Sequence, residues 1–279
     1  MNYKFFDYKH FIEGYHGQDF WGTAHTIFMV IAILAIIVLP IVLRKTKHKN
    51  VDLYLKVLSI VIPVLEVVKI VWESYWDINW QGPNTGSFNW GGLLPLYTCS
   101  IFIFTLPVAA WAKGKIKRCA VAWLSTIGIF GGLTNFFLPQ ILNTYPFWTF
   151  ATFMSLNFHF FMVFTGLFLV VTGFFKAKWS DIVAGWIPLA LFSIIVIPVN
   201  YILQDLGHNP DYMLYMHGYG APILPDMSQF FINNNMQFVF TLIVFFGYML
   251  IAGIFVSVYK GCSALGRLIA KSKQAKNSN

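Results

Sequence analysis

Long apolar stretches recur along this chain and are separated by short polar connections. Each stretch has roughly 20 residues or more, the length that a helix needs to cross the ~30 Å hydrocarbon core of a bilayer. Backbone polar groups inside a bilayer must be satisfied within the chain, so we predict an all-α fold of transmembrane helices. The seven predicted spans cover residues 20–43, 53–76, 92–112, 118–138, 147–175, 182–203 and 235–259.

The composition agrees with a membrane protein that has no separate soluble domain. Apolar residues make up 57% of the chain and charged residues only 11%, whereas soluble domains carry about 25% charged residues. We predict an N-terminal segment over residues 1–19, one membrane domain over 20–260 and a basic tail over 261–279. The connection 204–234 is rich in proline and glycine and is predicted to be an ordered cap or a mobile lid.

Basic residues cluster in the first, third and fifth connections and in the tail, so the net charge of +8 is a topology signal rather than a sign of nucleic-acid binding. The positive-inside rule then predicts the N-terminus outside and the C-terminus in the cytoplasm, in the cell membrane. Anionic lipids are the expected partners of the cytoplasmic face, and no protein partner is indicated. The clusters are Arg44, Lys45, Lys47 and Lys49; Lys113, Lys115, Lys117 and Arg118; Lys176 and Lys178; Lys260, Arg267, Lys271, Lys273 and Lys276.

Polar side chains within the spans lie near the middle or toward the predicted outer end. Such groups normally face a protein interior or a wet cavity, because exposing them to lipid is costly. We therefore predict a polar cavity that opens outward and is closed at the cytoplasmic end. The residues concerned are His25, Glu66, Lys69, Glu73, Cys99, Asn135, Asn157, His159, Asn200 and Gln237.

Three charges form a stripe along the second span, at positions i, i+3 and i+7. Glu66, Lys69 and Glu73 can neutralise one another there as a structural ladder. They can equally line the cavity, where Lys69 would hold an anionic headgroup. Both interpretations stay open at this point.

Cys99 and His159 lie at overlapping depths on different spans. A thiolate is a strong nucleophile and an imidazole is its natural base, so the two side chains can form a catalytic pair. A lone membrane cysteine can also be a packing residue, and a lone histidine can bond a backbone carbonyl. No spacing of ligands indicates a metal site, and no cofactor is expected.

The chain resembles the YwaF-like bacterial integral membrane proteins through four short motifs in the same order. They are Leu94 to Cys99, Gly131-Gly132 leading to Pro139, His159, and a loosened motif from Asn209 to Leu214. More distantly, it resembles the eukaryotic multipass acyltransferases that make polyunsaturated ether phospholipids. Tyr97 is a departure, because the bacterial family usually has histidine at that place and tyrosine is a poor base near neutral pH.

The second resemblance implies that Cys99 forms an acyl-thioester and that His159 activates it, oriented by Asn157 or Asn135. Membrane phospholipids would then be the substrates, with Glu66, Lys69 and Glu73 at the headgroup. Asn135 or Asn200 would stabilise the oxyanion, and Tyr97 would orient a carbonyl. The alternatives are a non-enzymatic protein that binds or transports a lipid or small solute, and a subunit of a larger membrane complex.

Overall fold

The computed structural model of the chain describes residues 3–9, 12, 14–17, 19–79, 90–208, 210, 212–214, 230–231 and 233–277. Within these residues the chain is helical and contains no strand, and each of the seven predicted spans contains a helix. The all-α fold class is thereby confirmed. The connection that we predicted to be an ordered cap or a mobile lid includes residues 215–229, which are outside the described residues. Asn209 and Asp211 of the last motif are also outside them.

Nine α-helices can be followed from end to end in the described residues. They are α1 (Thr23–Val42), α2 (His48–Asn79), α3 (Trp90–Leu93), α4 (Ile101–Trp111), α5 (Gly114–Leu124), α6 (Ile127–Phe137), α7 (Phe150–Val171), α8 (Asp181–Asp205) and α9 (Gln237–Asn277). By length and composition, five segments can cross a membrane: Thr23–Lys45, Gly114–Asn143, Phe150–Val171, Asp181–Asp205 and Gln237–Ala270. A shorter apolar segment, Thr98–Trp111, and the more charged α2 bring the number of helical segments in the bundle to seven.

Three spans differ in detail from their predictions. The third span is not one helix: it starts within α3, is non-helical over residues 94–97, and becomes helical again in the 3-10 turn Thr98–Ser100 and α4. Pro95 disfavours helix at Leu94, directly after α3. The fourth span is split into α5 and α6 at residues 125–126. The last helix continues without interruption through the predicted tail as far as Asn277.

The bundle has two ends that differ in charge. We call the end that carries the N-terminal segment and the connection 138–149 the N-terminal face, and the opposite end the basic face. At the basic face Arg118 donates hydrogen bonds to the buried carboxylate of Asp181, which joins α5 to α8. Lys117 and Asp52 pair at 2.7 Å between α5 and α2.

The half of the bundle toward the basic face is tightly packed. Its largest fully buried side chains include Phe102, Leu106, Trp123, Leu124 and Ile127. Glycine allows two of the close approaches, which is how membrane helices commonly pack. A Cβ added at Gly166 would lie 2.4 Å from the Leu124 carbonyl oxygen, and one added at Gly132 would lie 2.4 Å from Val163 Cγ2.

The N-terminal segment is docked on the bundle rather than separate from it. The phenol of Tyr8 is buried and donates to Asp77 at 2.6 Å. Burial raises the pKa of Tyr8 well above its ordinary value, and the hydrogen bond to the carboxylate raises it further. The Phe5 carbonyl oxygen accepts a hydrogen bond from the Phe150 amide at 2.7 Å, and the Phe6 carbonyl oxygen accepts one from the Trp72 indole at 3.2 Å. The segment therefore ties α2 to α7 at the N-terminal face.

Candidate functional site

A cavity of about 1220 Å³ lies inside the half of the bundle next to the N-terminal face. Its walls come from α2, the turn Thr98–Ser100, α6, α7 and α9. Exposed polar residues of the connection after α6 line its end at the N-terminal face, namely Gln140, Asn143 and Thr144. Its volume exceeds the roughly 300–1,000 Å³ of ordinary ligand pockets, so it can hold a long, flexible molecule.

The charged stripe of α2 lines this cavity. Lys69 Nζ lies 3.4 Å from a carboxylate oxygen of Glu66 and 3.7 Å from one of Glu73. The Glu73 oxygen that faces Lys69, Oε2, is buried and accepts no hydrogen bond from the described residues. The stripe is therefore both an ion-pair ladder and a cavity wall, and it keeps hydrogen-bonding capacity directed at the cavity.

Cys99 lies in the single 3-10 turn Thr98–Ser100, directly before α4, and it lines the cavity. Tyr97, directly before the turn, has an extended backbone, so the helical conformation begins only at Thr98. A cysteine in the first turn of a helix has free backbone amides and the positive end of the helix dipole beside its sulfur. The ammonium group of Lys69 also acts electrostatically on this thiol. Burial and the carboxylate of Glu66 act in the opposite direction, so a base is needed to form the thiolate.

His159 is buried on α7 and lines the same cavity. Its Nδ1 lies 2.7 Å from the Ser155 carbonyl oxygen, one turn earlier in the helix. Because a carbonyl oxygen only accepts, Nδ1 carries the hydrogen, and Nε2 of the neutral ring keeps its lone pair. Nε2 has no hydrogen-bond partner among the described residues, so it is available as a base.

The orientation of His159 differs from the expectation drawn from the resemblance. The ring is held by the backbone of its own helix and not by Asn157 or Asn135. Asn157 lines the cavity but donates to the Phe153 carbonyl oxygen at 2.8 Å. Asn135 also lines the cavity, and its Oδ1 is buried without a hydrogen-bond partner.

Tyr97 lines the cavity, whereas Asn200 does not belong to its lining. The side chain of Asn200 is fully buried and is bonded to the backbone of Tyr212 in both directions, at 3.0 and 3.1 Å. This amide fixes the chain after α8 and lies outside the cavity where an oxyanion would form. We therefore leave Asn200 out of the proposed site.

Within the described residues there is also no group of three His, Cys, Asp or Glu side chains that could hold a metal ion.

Three residues near the proposed site, Tyr248, Ser100 and Met213, also line the cavity and were not among the candidates from the sequence. Tyr248 of α9 shares a hydrogen bond of 3.1 Å with Thr98, next to Cys99. Ser100 follows the cysteine, and Met213 reaches the cavity from the connection after α8. The depth of polar residues, which selected the other candidates, also applies to Tyr248 and Ser100. Met213 belongs to the loosened motif from Asn209 to Leu214 but has no polar group that would indicate a place at the cavity.

The helical bundle and its polar cavity define a multipass membrane protein with a site inside the membrane domain. Residues 20–257 match the TMEM164 family, a multipass membrane family, and the chain belongs to that family. No curated protein and no solved structure gives a significant match. The match does not test the resemblance to YwaF-like proteins or the link to acyl transfer, so both stay predictions.

Proposed function

We propose that this protein is a membrane-embedded acyltransferase or transacylase that moves a fatty acyl group between phospholipids. Cys99 is the nucleophile and His159 is the base. The observation that carries the proposal is one cavity that contains both a cysteine at a helix N-terminus and a histidine whose Nε2 keeps its lone pair. Covalent acyl transfer requires a nucleophile and a base that act together.

The reaction has two balanced halves. His159 Nε2 takes the thiol proton, and Cys99 Sγ attacks the ester carbonyl carbon of a phospholipid. The tetrahedral intermediate collapses with cleavage of the ester C–O bond, and the lysophospholipid oxygen takes the proton back from Nε2. The acceptor hydroxyl then reverses these steps on the thioester, and the thiol is regenerated with no other reactant.

The other polar groups of the cavity have supporting roles in this proposal. Lys69 holds the phosphate of the headgroup, and Glu66 and Glu73 keep its ammonium in place. Tyr97 orients a carbonyl group of the substrate by hydrogen bonding. Asn135 and Asn157 contact the polar region of the lipid near the ester bonds.

The N-terminal face is extracellular in this proposal, and the protein lies in the cell membrane. The basic connections then contact anionic lipids on the cytoplasmic side. Acyl-CoA is cytosolic, and tightly packed side chains separate the cavity from the basic face. A phospholipid of the outer leaflet is therefore the acyl donor.

The test is intact-mass measurement of purified protein after incubation with mixed phospholipids. We expect an acyl-sized adduct that hydroxylamine removes and that maps to Cys99. The Cys99→Ala variant should lack it, and the matched Cys119→Ala variant, altered outside the cavity lining, should retain it. Full lipid-remodelling activity in both Cys99→Ala and His159→Ala would overturn the proposal.

A binding protein without chemistry is the second candidate, since a cavity of about 1220 Å³ with mostly apolar walls suits a lipid in either case. The packed half next to the basic face gives no support to a transport path through the bundle. A lipid that copurifies with the protein, together with the absence of any adduct or remodelling, would favour binding. That result would also make Cys99 a packing residue.

A further inference from the structure

Hydroxyl groups on the helices of this protein are generally bonded to the carbonyl oxygen one turn earlier. Thr105 donates to Ile101 at 2.9 Å, and Thr134 donates to Phe130 at 2.8 Å. This back-bonding satisfies a hydroxyl group that would otherwise be buried without a partner. A hydroxyl bonded in this way has its hydrogen committed and cannot donate it to a substrate.

Ser100 is an exception to this pattern. Its side chain is only 7% exposed and lines the cavity, yet its hydroxyl group has no oxygen or nitrogen partner among the described residues. The reason is its place in the turn before α4, where the preceding residues are extended and present no helical carbonyl.

The backbone amide of Cys99 is the second uncommitted donor. In the same turn the Ser100 amide bonds the Tyr97 carbonyl oxygen at 2.9 Å, and the Ile101 amide bonds the Thr98 carbonyl. The Cys99 amide has no backbone acceptor among the described residues. Two donors of adjacent residues therefore lie without acceptors in the turn that carries the nucleophilic atom and lines the cavity.

We propose that the Ser100 hydroxyl and the Cys99 amide form the oxyanion hole of the acyl-transfer site. The inference rests on the proposed function. When Sγ attacks the ester carbonyl carbon, the C–S bond forms and the carbonyl π electrons move to oxygen. The two donors bind that oxygen, and they release it when the C–O bond breaks and the carbonyl group reforms.

The asparagines expected at this position are less suitable donors. Asn200 is bonded to the backbone of Tyr212 outside the cavity lining. Asn135 lies on α6 rather than in the turn of the nucleophile, and its Oδ1, buried without a hydrogen-bond partner among the described residues, can only accept a hydrogen bond. Ser100 and the Cys99 amide also have the advantage of a rigid position in the same turn as the nucleophile.

The first measurement is the rate of acyl transfer by Ser100→Ala and by Thr105→Val. Thr105 is a matched control because it lies one turn along α4 and is buried, but its hydroxyl is back-bonded. Loss of one oxyanion donor typically lowers kcat by about 10²- to 10³-fold, and we expect that loss for Ser100→Ala only. Ser100→Thr, which keeps the hydroxyl, should recover most of the rate, so a simple folding defect would be recognised.

The second measurement is the rate at which iodoacetamide alkylates Cys99 in each variant. Alkylation needs the thiolate but forms no tetrahedral oxyanion, so Ser100→Ala should change it by less than about threefold. A parallel fall of acylation and alkylation would overturn the inference, because Ser100 would then act on the thiol. If Ser100→Ala retains full acyl transfer while Cys99→Ala is inactive, the inference about the oxyanion hole is wrong but the proposed function stands. Activity in both variants would refute the proposed function itself.

Discussion

Replacing Gly132 by alanine tests the close contact that sets α7, and with it His159, against α6. A Cβ at this position would lie 2.4 Å from Val163 Cγ2 and 3.1 Å from the His159 carbonyl oxygen. Carbon atoms pack best about 3.5–4.0 Å apart, so the two helices must separate by roughly 1 Å. Val163 is fully buried and β-branched, which leaves its methyl group no inexpensive rotamer to adopt.

Overpacking of this kind costs about 1–3 kcal/mol, which exceeds the ~1 kcal/mol that alanine gains over glycine in a helix interior. The neighbouring Gly131→Ala variant is the matched control. Its Cβ would meet only the terminal Cε of Met162, at 3.0 Å, and that flexible side chain can move. We therefore expect Gly132→Ala to be less stable than the wild type, and Gly131→Ala to be close to it.

The assay is thermal unfolding of both variants in the same lipid nanodiscs, followed by measurement of acyl transfer. A misplacement of about 1 Å can lower the rate of a positioned reaction by roughly 10²-fold, so Gly132→Ala should lose activity even at temperatures where it stays folded. Equal melting temperatures and equal activities for the two alanine variants would refute the contact between α6 and α7 as described.

Three further predictions concern the two ends of the bundle. Arg118→Gln should destabilise the protein by about 2–3 kcal/mol in thermal unfolding, because it leaves the buried Asp181 carboxylate without its charged partner. The control Lys117→Gln breaks a more exposed pair and should cost less than about 1 kcal/mol. The phenol of Tyr15 donates to the Leu142 carbonyl oxygen at 2.7 Å, and burial raises the pKa of Tyr15 to about 12. Docking of the N-terminal segment, followed by tryptophan fluorescence, should therefore persist up to about pH 10 and weaken above it, and docking that is unchanged at about pH 12 would contradict this. An impermeant maleimide should label Cys262 only after cells are permeabilised, and labelling of intact cells would reverse the proposed topology.

The number and placement of the helices could be predicted because the bilayer imposes a fixed length on each span and requires a satisfied backbone. The hydropathy pattern could not indicate the break at residues 125–126, where neither proline nor glycine occurs and close packing of α5, α6 and α7 determines the chain path. It also could not indicate that α9 continues to Asn277, since a polar helix needs no apolar stretch to extend beyond the membrane.

The depth of polar residues predicted the cavity more successfully than it predicted the role of each residue. Burying a polar group is costly unless it finds a partner, but that partner can be a ligand or the protein's own backbone. His25 and Asn200 satisfy this requirement on the backbone of Phe136 and Tyr212 respectively, which the sequence cannot reveal. Glu73 and Asn135 line the cavity, and each has an oxygen that accepts no hydrogen bond from the described residues.

The same distinction explains why Cys99 and Ser100 are stronger candidates in the structure than in the sequence. In a continuous helix both side chains would pack against the preceding turn, and the serine hydroxyl would be back-bonded like that of Thr105. The non-helical residues before Thr98 interrupt the helix here, and the hydroxyl of Ser100 and the amide of Cys99 are left without oxygen or nitrogen partners among the described residues, beside the thiol at the cavity wall. Pro95 disfavours helix only at Leu94, so the whole Leu94 to Cys99 segment, and not the proline alone, determines the site.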